Sequence, residues 1–355
     1  MAYPTISLPA LKLKIKGTIN DSGPSIIFWG TPEFAAIILK ELINNQFPPR
    51  AVVTSPDKAV GRKQILTPSP VKQLALEHNI PVLQPANLQT YQLINLQTFQ
   101  PDLFIVAAYG LILPKEILDI PKFGSLNIHP SLLPKYRGAS PIQAVILNGD
   151  QETGVTIILM DEKVDHGPIV QNKKLNISPR PFSGKAGQEN KKYNYLELSN
   201  ELAKIGADLL IEILPRWLRN EIKPIPQDHS QATFTKIIKK EDGQINWQNS
   251  AEYIERMIRA YNPWPGTYTK MQNAKCKMQN DKSKCKILKI LKAAVLKIDH
   301  RKTPGTVSLT ENKQLAVACG QNALILEEVQ PEGKKQMSAQ EFLNGHPEIV
   351  GTVLF

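Results

Sequence analysis

The chain has 355 residues, a formal net charge of +11 and 42% hydrophobic residues, which is enough apolar sequence for one large or two medium domains. No apolar run approaches the roughly 18 residues of a membrane-spanning helix, and residues 1–24 lack the order of a secretory signal. The three cysteines have no metal-ligand spacing, so we expect no zinc site and a reducing cytoplasm as the compartment. Residues 1–24 are interpreted as a disordered extension or as the result of an early start codon.

Strand-like and helical patterns alternate in the first half of the chain. Strands are predicted at residues 25–29, 51–54, 103–108, 126–128 and 155–160, and helices at 34–43, 69–78, 114–118, 141–148 and 195–218. Thr31 is predicted to cap the first helix, with Pro32 at its first position. Strands that alternate with helices predict an α/β fold with a doubly wound, mostly parallel sheet, and functional groups beyond the carboxyl ends of its strands.

The second half of the chain has a different sequence pattern. Residues 220–232 contain two prolines and no periodicity, which predicts a linker between domains at 25–219 and 233–355. Short strands are predicted at 243–247, 287–295, 305–309, 314–318 and 324–329, with one helix at 251–260. Five short strands favour a small closed barrel. The repeat of KMQN within KMQNAKCKMQNDKSKCK indicates a lysine-rich, low-complexity insertion at residues 271–286.

Three polar residues form the strongest chemical pattern in the chain. Asn127 and His129 end a predicted strand, and their i, i+2 spacing places both side chains on one face. Asp165 follows the next predicted strand, from which a loop could bring it to the same place. An amide, an imidazole and a carboxylate suit acyl transfer to an amine, since they can stabilise an oxyanion and move a proton. Taken alone, however, an Asn-x-His pair is more often a hydrogen-bonded detail of a core, and Asp165 could merely cap the turn before Gly167.

The surrounding motifs resemble those of one family. No G-x-G-x-x-G or Walker lysine motif occurs, so neither NAD nor ATP is predicted. The chain contains FWGTPEFA (28–35), TSPDKAVGRKQILTPSPVK (54–72), AAYGLILPK (107–115), SLNIHPSLLPKYRGASPIQ (125–143), RAYNPWPGTY (259–268) and GKKQMSAQEFLNG (333–345). In this order, these motifs resemble the folate-dependent formyltransferases from residue 26 to about residue 354.

The resemblance implies a fold, a cofactor and a mechanism. The fold is a Rossmann-like formyltransferase domain followed by a small OB-like β-barrel domain. The formyl group would come from 10-formyltetrahydrofolate without a metal, with Asn127 and protonated His129 donating to the oxyanion and Asp165 keeping His129 charged and oriented. The residues that match the family's folate-contacting segments are Tyr109, Gly110, Leu111, Ser131, Leu132, Leu133 and Pro134.

The resemblance also implies a partner. The acceptor would be the α-amino group of methionine on initiator methionyl-tRNA, a step of translation initiation. The loop at 59–72 would enter the end of the acceptor stem, and the barrel would bind tRNA through its basic surface. The residues expected to contact tRNA are Arg62, Lys63, Lys72 and Lys223. The chain is expected to act as a monomer.

Two other functions stay open at this point. A formyltransferase for a small amine, such as an amino-sugar nucleotide or glycinamide ribonucleotide, would share the three polar residues but would not need a basic loop at 61–63. A non-catalytic tRNA-binding protein would be expected to lack one of the three. All three are present, and the loop holds Arg62 and Lys63, so the sequence favours the tRNA-dependent enzyme.

Overall fold

The computed structural model describes residues 23–61, 64–88, 96–178, 192–271 and 285–355. The predicted N-terminal extension and the lysine-rich insertion therefore lie almost entirely outside the described residues, as do Arg62 and Lys63. Within the described ranges, no helix has both the length and the apolar character needed to cross a bilayer.

The first half of the chain forms a layered α/β unit. Its strands are β1 (Ile26–Gly30), β2 (Ala51–Val53), β3 (Lys58–Val60), β4 (Ile65–Thr67), β5 (Val82–Leu83), β6 (Leu103–Ala107), β7 (Ser125–His129), β8 (Arg137–Gly138), β9 (Glu152–Leu159) and β10 (Ile169–Asn176). Its helices are α1 (Glu33–Asn44), α2 (Pro70–Glu77), α3 (Lys115–Leu118), α4 (Pro141–Asn148) and α5 (Tyr195–Leu218).

Seven of these strands form one sheet in the order β10-β9-β7-β6-β1-β2-β5. The strands β5, β2, β1, β6 and β7 are parallel, whereas β9 is antiparallel to both β7 and β10. The predicted doubly wound, mostly parallel sheet is confirmed. The edge strand β10 escapes prediction because its sequence IVQNKKLN is mostly polar and most of its side chains are exposed.

The centre of the sheet is apolar on both faces. Strands β1 and β6 are the runs IIFWG and LFIVA, and every residue in both is buried. Such runs are typical of parallel strands that are covered on both faces. Ile26 and Phe28 pack in the core that contains α1 and α5, whereas Ile27 and Trp29 pack with Phe104 on the opposite face.

The start of α1 differs from the prediction by one residue. The cap position is Pro32, which makes no side-chain cap bond, and the helix begins at Glu33. Thr31 Oγ1 instead donates to Tyr109 O at 3.1 Å and lies 3.1 Å from Ser55 Oγ. Thr31 therefore ties the end of β1 to the loop after β6 and does not cap the helix.

The second half of the chain is built around an antiparallel sheet. Its elements are β11 (Phe234–Thr235), α6 (Ala251–Tyr261), β12 (Thr267–Met271), β13 (Lys286–Leu296), β14 (Val307–Leu309), β15 (Leu315–Ala318), β16 (Ala323–Pro331), β17 (Met337–Ser338) and α7 (Ala339–Gly345). The sheet has the order β12-β13-β16-β15-β14, with β17 beside β16. Four of the five predicted strands are present, and β11, β12, β17 and α7 are additional to the prediction.

The predicted strand at 243–247 is wrong. Lys240–Gly243 form a 3-10 helix, and within this described stretch Gln244 makes only an isolated β-bridge. Ile245 and Trp247 are buried in the core of this half. Their alternating apolar pattern therefore reflects burial without sheet pairing.

The last residues of the chain connect the two edges of this sheet. Val307 N, in the edge strand β14, donates to Thr352 O at 2.9 Å. At the other edge, Lys270 of β12 and Phe355 exchange backbone hydrogen bonds of 2.8 and 3.2 Å. The tail thus links β14 to β12, which is the kind of closure that a barrel requires.

Candidate active site

Strand β7 positions two of the predicted site residues. Leu126 and Ile128 are buried in the core that contains α5, so the alternate side chains of Asn127 and His129 face the other side of the sheet. His129 is only 4% exposed, whereas Asn127 is partly exposed. The structure therefore places both side chains on one face, as their spacing predicts.

Asp165 reaches these side chains by a route that the sequence does not show. Because β9 runs antiparallel to β7, its last residue lies opposite Leu126, beside the start of β7. The loop 160–168 runs back along β7 and carries Asp165 to the other two residues. Asn127 Nδ2 donates to Asp165 Oδ1 at 3.2 Å, and His129 Nδ1 lies 3.4 Å from the same oxygen. Asp165 Oδ1 thus contacts both of the other predicted residues.

Both ring nitrogens of His129 face oxygen acceptors. Nε2 lies 2.9 Å from Tyr136 O, a carbonyl that can only accept, and Nδ1 faces Asp165 Oδ1. A neutral imidazole has one N–H, whereas the imidazolium has two. Nε2 therefore carries the proton directed at Tyr136 O, and Asp165 lies close enough to Nδ1 to balance the charge of the ring when both nitrogens are protonated.

The Asn127 amide keeps a donor for a bound molecule. One of its two Nδ2 hydrogens is directed to Asp165 Oδ1, and the amide group has a second N–H. Because the side chain is partly exposed, this second N–H can meet an oxygen atom that enters the site. His129 is less accessible, and both of its nitrogens already have protein partners.

The turn that carries Asp165 is tightly constrained. Asp165 has a φ of 50°, in the left-handed region that residues other than glycine seldom adopt. Its Oδ2 accepts a hydrogen bond from Gly138 N at 2.8 Å. A Cβ atom at Gly167 would lie 1.9 Å from Leu159 O, so only glycine fits there. The direction of the carboxylate is therefore set by the backbone as well as by its partners.

Two buried side chains without a predicted role support this turn. Gln227 Nε2 donates to Asp165 O at 2.9 Å and to Gly167 O at 2.7 Å. Gln227 Oε1 accepts from Arg137 Nε and Nη2 at 3.2 and 2.6 Å. Gln227 belongs to the predicted linker, where no periodicity or motif marks it. The linker segment is therefore part of the site and does more than connect two domains.

A pair of stacked histidines joins the same segment to the loop that carries Asp165. The rings of His166 and His229 are 4.1 Å apart and within 7° of parallel. His229 Nδ1 lies 2.8 Å from Arg137 Nη2, and since a guanidinium can only donate, this nitrogen is an acceptor. Desolvation, followed by the neighbouring charges of His166 and Arg137, lowers the pKa of His229 from its usual 6.5.

The predicted folate segment after β7 is a turn tied to β9. Thr156 Oγ1 donates to Ser131 O at 2.7 Å and accepts from Leu133 N at 3.1 Å. Ser131 and Leu133 are buried, whereas Leu132 and Pro134 are partly exposed. Ser131 and Leu133 therefore fix the shape of the turn, whereas Leu132 and Pro134 have exposed surface that a bound molecule can contact.

The predicted folate segment after β6 also divides into buried and exposed residues. Tyr109 is 3% exposed, and burial raises the pKa of its phenol to about 12. Among the described residues, neither its hydroxyl nor Trp29 Nε1 has a hydrogen-bond partner. Gly110 is exposed, and Leu111 and Ile112 are 49% and 70% exposed. Tyr109 thus belongs to the core, while the residues after it present apolar surface.

The predicted tRNA loop is a short β-hairpin. Strands β3 and β4 pair antiparallel, and Gln64 N donates to Gly61 O at 3.2 Å at the tip. Arg62 and Lys63 occupy the tip in the sequence but lie outside the described residues. Ile65 and Leu66, which follow, are 61% and 70% exposed. A projecting hairpin with exposed apolar residues is compatible with an interaction surface.

The two described lysines of the predicted tRNA site differ in their surroundings. Lys72 Nζ forms a salt bridge of 2.7 Å with Asp57 and donates to Gln84 Oε1 at 2.8 Å. The hydrogen bond from Lys72 is the largest cause that lowers the pKa of Asp57. Lys72 therefore anchors the base of the hairpin, whereas Lys223 is exposed.

The chain is similar to known proteins over most of its length. A family model described as Formyl transferase matches residues 25–200, and a model described as Formyl transferase, C-terminal domain, matches residues 237–347. The chain belongs to the formyl transferase family. The methionyl-tRNA formyltransferase of Chloroflexus aurantiacus is 45% identical over 322 residues, or 90% of this chain and 96% of the relative. That of Methylococcus capsulatus is 42% identical with the same coverage. The resemblance inferred from the motifs is confirmed.

Solved structures share the fold at lower identity. HypX from Aquifex aeolicus, in complex with tetrahydrofolic acid, has a TM-score of 0.56 and 15% identity, covering 92% of this chain and 48% of HypX. An N-formyltransferase from Helicobacter canadensis, in complex with folinic acid and dTDP-3-aminofucose, has a TM-score of 0.56 and 19% identity, covering 85% of this chain and 99% of its own. At these identities the likeness concerns the fold alone.

Proposed function

We propose that this chain transfers the formyl group of 10-formyltetrahydrofolate to the α-amino group of methionine on initiator methionyl-tRNA. The observation that carries the proposal is the contact of one carboxylate oxygen, Asp165 Oδ1, with both Asn127 Nδ2 and His129 Nδ1. Relatives named methionyl-tRNA formyltransferase are 39–45% identical over at least 90% of this chain, which supports the same acceptor. The product would serve translation initiation.

The first task of the site is to stabilise negative charge. When bound, 10-formyltetrahydrofolate supplies an electrophilic formyl carbon, and the neutral amine attacks it. As the bond forms, charge develops on the formyl oxygen. The free Nδ2 hydrogen of Asn127 donates to this oxygen, and the positive charge of His129 lies nearby. Removal of one such donor typically costs about 10²–10³ in rate.

The second task is to move protons. The attacking amine must lose a proton, and the departing nitrogen of the folate must gain one. Asp165 accepts the amine proton, directly or through water, because its carboxylate is the one base among the three residues when His129 is doubly protonated. The proton taken up by Asp165 then passes to the leaving nitrogen, either directly or through Nδ1 of His129, which lies 3.4 Å from Asp165 Oδ1, so that both residues regain their starting protonation.

The protein surface around the site fits a folate. Leu111 and Ile112 expose apolar side chains on the loop after β6, the strand adjacent to β7. Val164, next to the catalytic carboxylate, is 50% exposed. An apolar lining with a few fixed polar groups is typical of sites for flat organic molecules. Leu132 and Pro134 would complete the contact from the turn after β7, with Tyr109 and Ser131 supporting it from beneath.

The tRNA would be bound by several separate basic segments. Arg62 and Lys63, which lie between β3 and β4 in the sequence, would meet the acceptor stem, and exposed Lys223 would lie against the tRNA backbone. Lys72 would act indirectly by holding the hairpin. The net charge of +11 agrees with a polyanionic partner, although such charge alone supports only non-specific binding.

Transfer of labelled formyl from 10-formyltetrahydrofolate tests the proposal. The acceptors are methionyl-initiator tRNA, the same tRNA without its amino acid, free methionine and an amino-sugar nucleotide. We expect label on the methionyl-tRNA alone. If the sugar nucleotide is labelled and the tRNA is not, the proposed catalytic residues stand but the proposed acceptor is wrong. If no acceptor is labelled, the proposed function is wrong.

A further inference from the structure

We propose that Gln227 is a positioning residue that holds the catalytic carboxylate of Asp165 in its working orientation. This inference rests on the proposed function, because it requires that Asp165 takes part in formyl transfer. Gln227 lies 62 positions after Asp165 in the chain and is 6% exposed. A side chain from the segment between the two halves of the chain would thus control the geometry of the chemistry.

The amide nitrogen of Gln227 closes the turn that contains Asp165. Nε2 donates to the carbonyl oxygens of Asp165 and Gly167 at 2.9 and 2.7 Å. Both N–H groups of one amide are therefore used on residues i and i+2 of the same turn. Since the φ of 50° at Asp165 is intrinsically unfavourable, bonds to the surrounding structure must maintain it.

The amide oxygen of Gln227 fixes which way the side chain points. Arg137 donates to Oε1 through Nε and Nη2, and the residue is 3% exposed. A guanidinium has no acceptor, so the oxygen of the amide must face Arg137 and the nitrogen must face the carbonyls. A buried cation held by an amide oxygen and by His229 Nδ1 is costly to disturb, which keeps the amide in place.

The same unit holds the carboxylate as well as the backbone of Asp165. Gly138, the residue after Arg137, donates its N–H to Asp165 Oδ2 at 2.8 Å. Its Cβ-free backbone is needed, because a Cβ there would lie 2.5 Å from Thr235 O. With Oδ2 fixed by Gly138 and the main chain fixed by Gln227, Oδ1 is left directed at Asn127 and His129.

Three variants separate positioning from general structural support. Gln227→Leu removes all four hydrogen bonds. Gln227→Glu keeps the acceptor for Arg137 but cannot donate to two carbonyls, so it should fold even if the leucine variant does not. Gln231→Leu is the matched control, since Gln231 lies in the same segment but is exposed, and among the described residues its side chain donates only to Asp228 Oδ2.

We expect a selective loss of the chemical step. Both Gln227 variants should lower kcat for formyl transfer by about tenfold to 100-fold, since a displacement near 1 Å of a catalytic group has effects of this size. The KM values for methionyl-tRNA and for 10-formyltetrahydrofolate should stay within about twofold, because neither molecule is bound by Gln227. Wild-type kcat in Gln227→Glu, or an equal loss in Gln231→Leu, would overturn the proposal.

The decisive measurement is single-turnover transfer in an Asp165→Asn background. If Gln227 acts through Asp165, adding Gln227→Glu to Asp165→Asn should cause no further loss, because residues that act as one unit are not additive. A full additional loss would indicate structural support only and would overturn the proposal. Wild-type turnover in Asp165→Asn alone would instead remove the proposed catalytic assignment, whatever the Gln227 variants do.

Discussion

At the scale of single residues, the proposed mechanism depends on the charge of Asp165. Its carboxylate accepts from the amide of Asn127 and lies 3.4 Å from Nδ1 of His129. Asp165→Asn keeps the size of the side chain but removes the charge and the base. We expect turnover to fall by about 100-fold or more, with the affinity for tRNA nearly unchanged. Single-turnover transfer and tRNA binding are to be measured together, and retained turnover would exclude Asp165 from the mechanism.

Gly167 offers a second test at this scale. A Cβ atom at Gly167 would lie 1.9 Å from Leu159 O. Because Leu159 O is a backbone atom, it cannot move away cheaply. Gly167→Ala should lower the free energy of unfolding by about 1–3 kcal/mol and also reduce turnover, because the turn holding Asp165 must shift. Gly345→Ala is the control, since a Cβ there meets nothing within 4 Å. Thermal unfolding and kcat of the two variants should differ clearly, and equal behaviour would contradict the steric argument.

At the scale of elements, the basic residues of the predicted tRNA loop at 59–72 have two proposed roles. Lys72 is already paired with Asp57 at 2.7 Å, so its charge is not free to neutralise a phosphate. When a residue that contacts a phosphate is removed, the slope of log affinity against log salt concentration decreases by about one unit. We therefore expect Arg62→Ala to weaken tRNA binding and reduce this salt slope. Lys72→Ala should weaken binding with the slope nearly unchanged.

Titration of tRNA binding at several salt concentrations distinguishes these roles. Folate binding should be unaffected in Arg62→Ala and in Lys72→Ala, because neither residue lies in the predicted folate segments. A lower salt slope for Lys72→Ala would show that its ammonium leaves Asp57 and reaches the nucleic acid. Equal losses of folate and tRNA binding in Arg62→Ala would contradict the assignment of the hairpin to tRNA.

At the scale of the whole molecule, the segment between the two halves responds to pH through His229. Its pKa is lowered by desolvation and by the charges of His166 and Arg137, while the carboxylate of Asp161 acts in the opposite direction. Between this lowered pKa and the ordinary value of 6.5, the unfolded chain binds more protons than the folded chain, so stability rises with pH across this window. Stability should therefore fall as the pH drops below 6.5.

Thermal unfolding between pH 7.5 and pH 5 measures this effect. His229→Gln keeps a side-chain oxygen that can accept from Arg137 but cannot take up a proton near neutral pH. We expect the variant to lose less stability on acidification than the parent chain. An unchanged pH dependence would assign the acid sensitivity to other groups.

Much of the local structure follows from the sequence. The helices at 141–148 and 195–218 are found with the predicted bounds, because capping residues and apolar spacing are local signals. The period of two along β7 places Asn127 and His129 together, and the buried runs of β1 and β6 identify the centre of the sheet. The order of the motifs was sufficient to assign the family. These features depend on neighbours within a few residues, which the sequence displays directly.

The tertiary structure alone decides how distant segments meet. The antiparallel direction of β9 determines that Asp165 returns along β7, and nothing in the strand pattern reports that direction. Gln227 carries no periodic or motif signal, yet packing of the segment after α5 brings it into hydrogen bonds with the turn that holds Asp165. The apolar alternation near Trp247 proved to reflect burial and not pairing. The period of the apolar side chains indicates which face of a helix or strand is buried. Strand pairing and long-range contacts depend instead on how the whole chain packs.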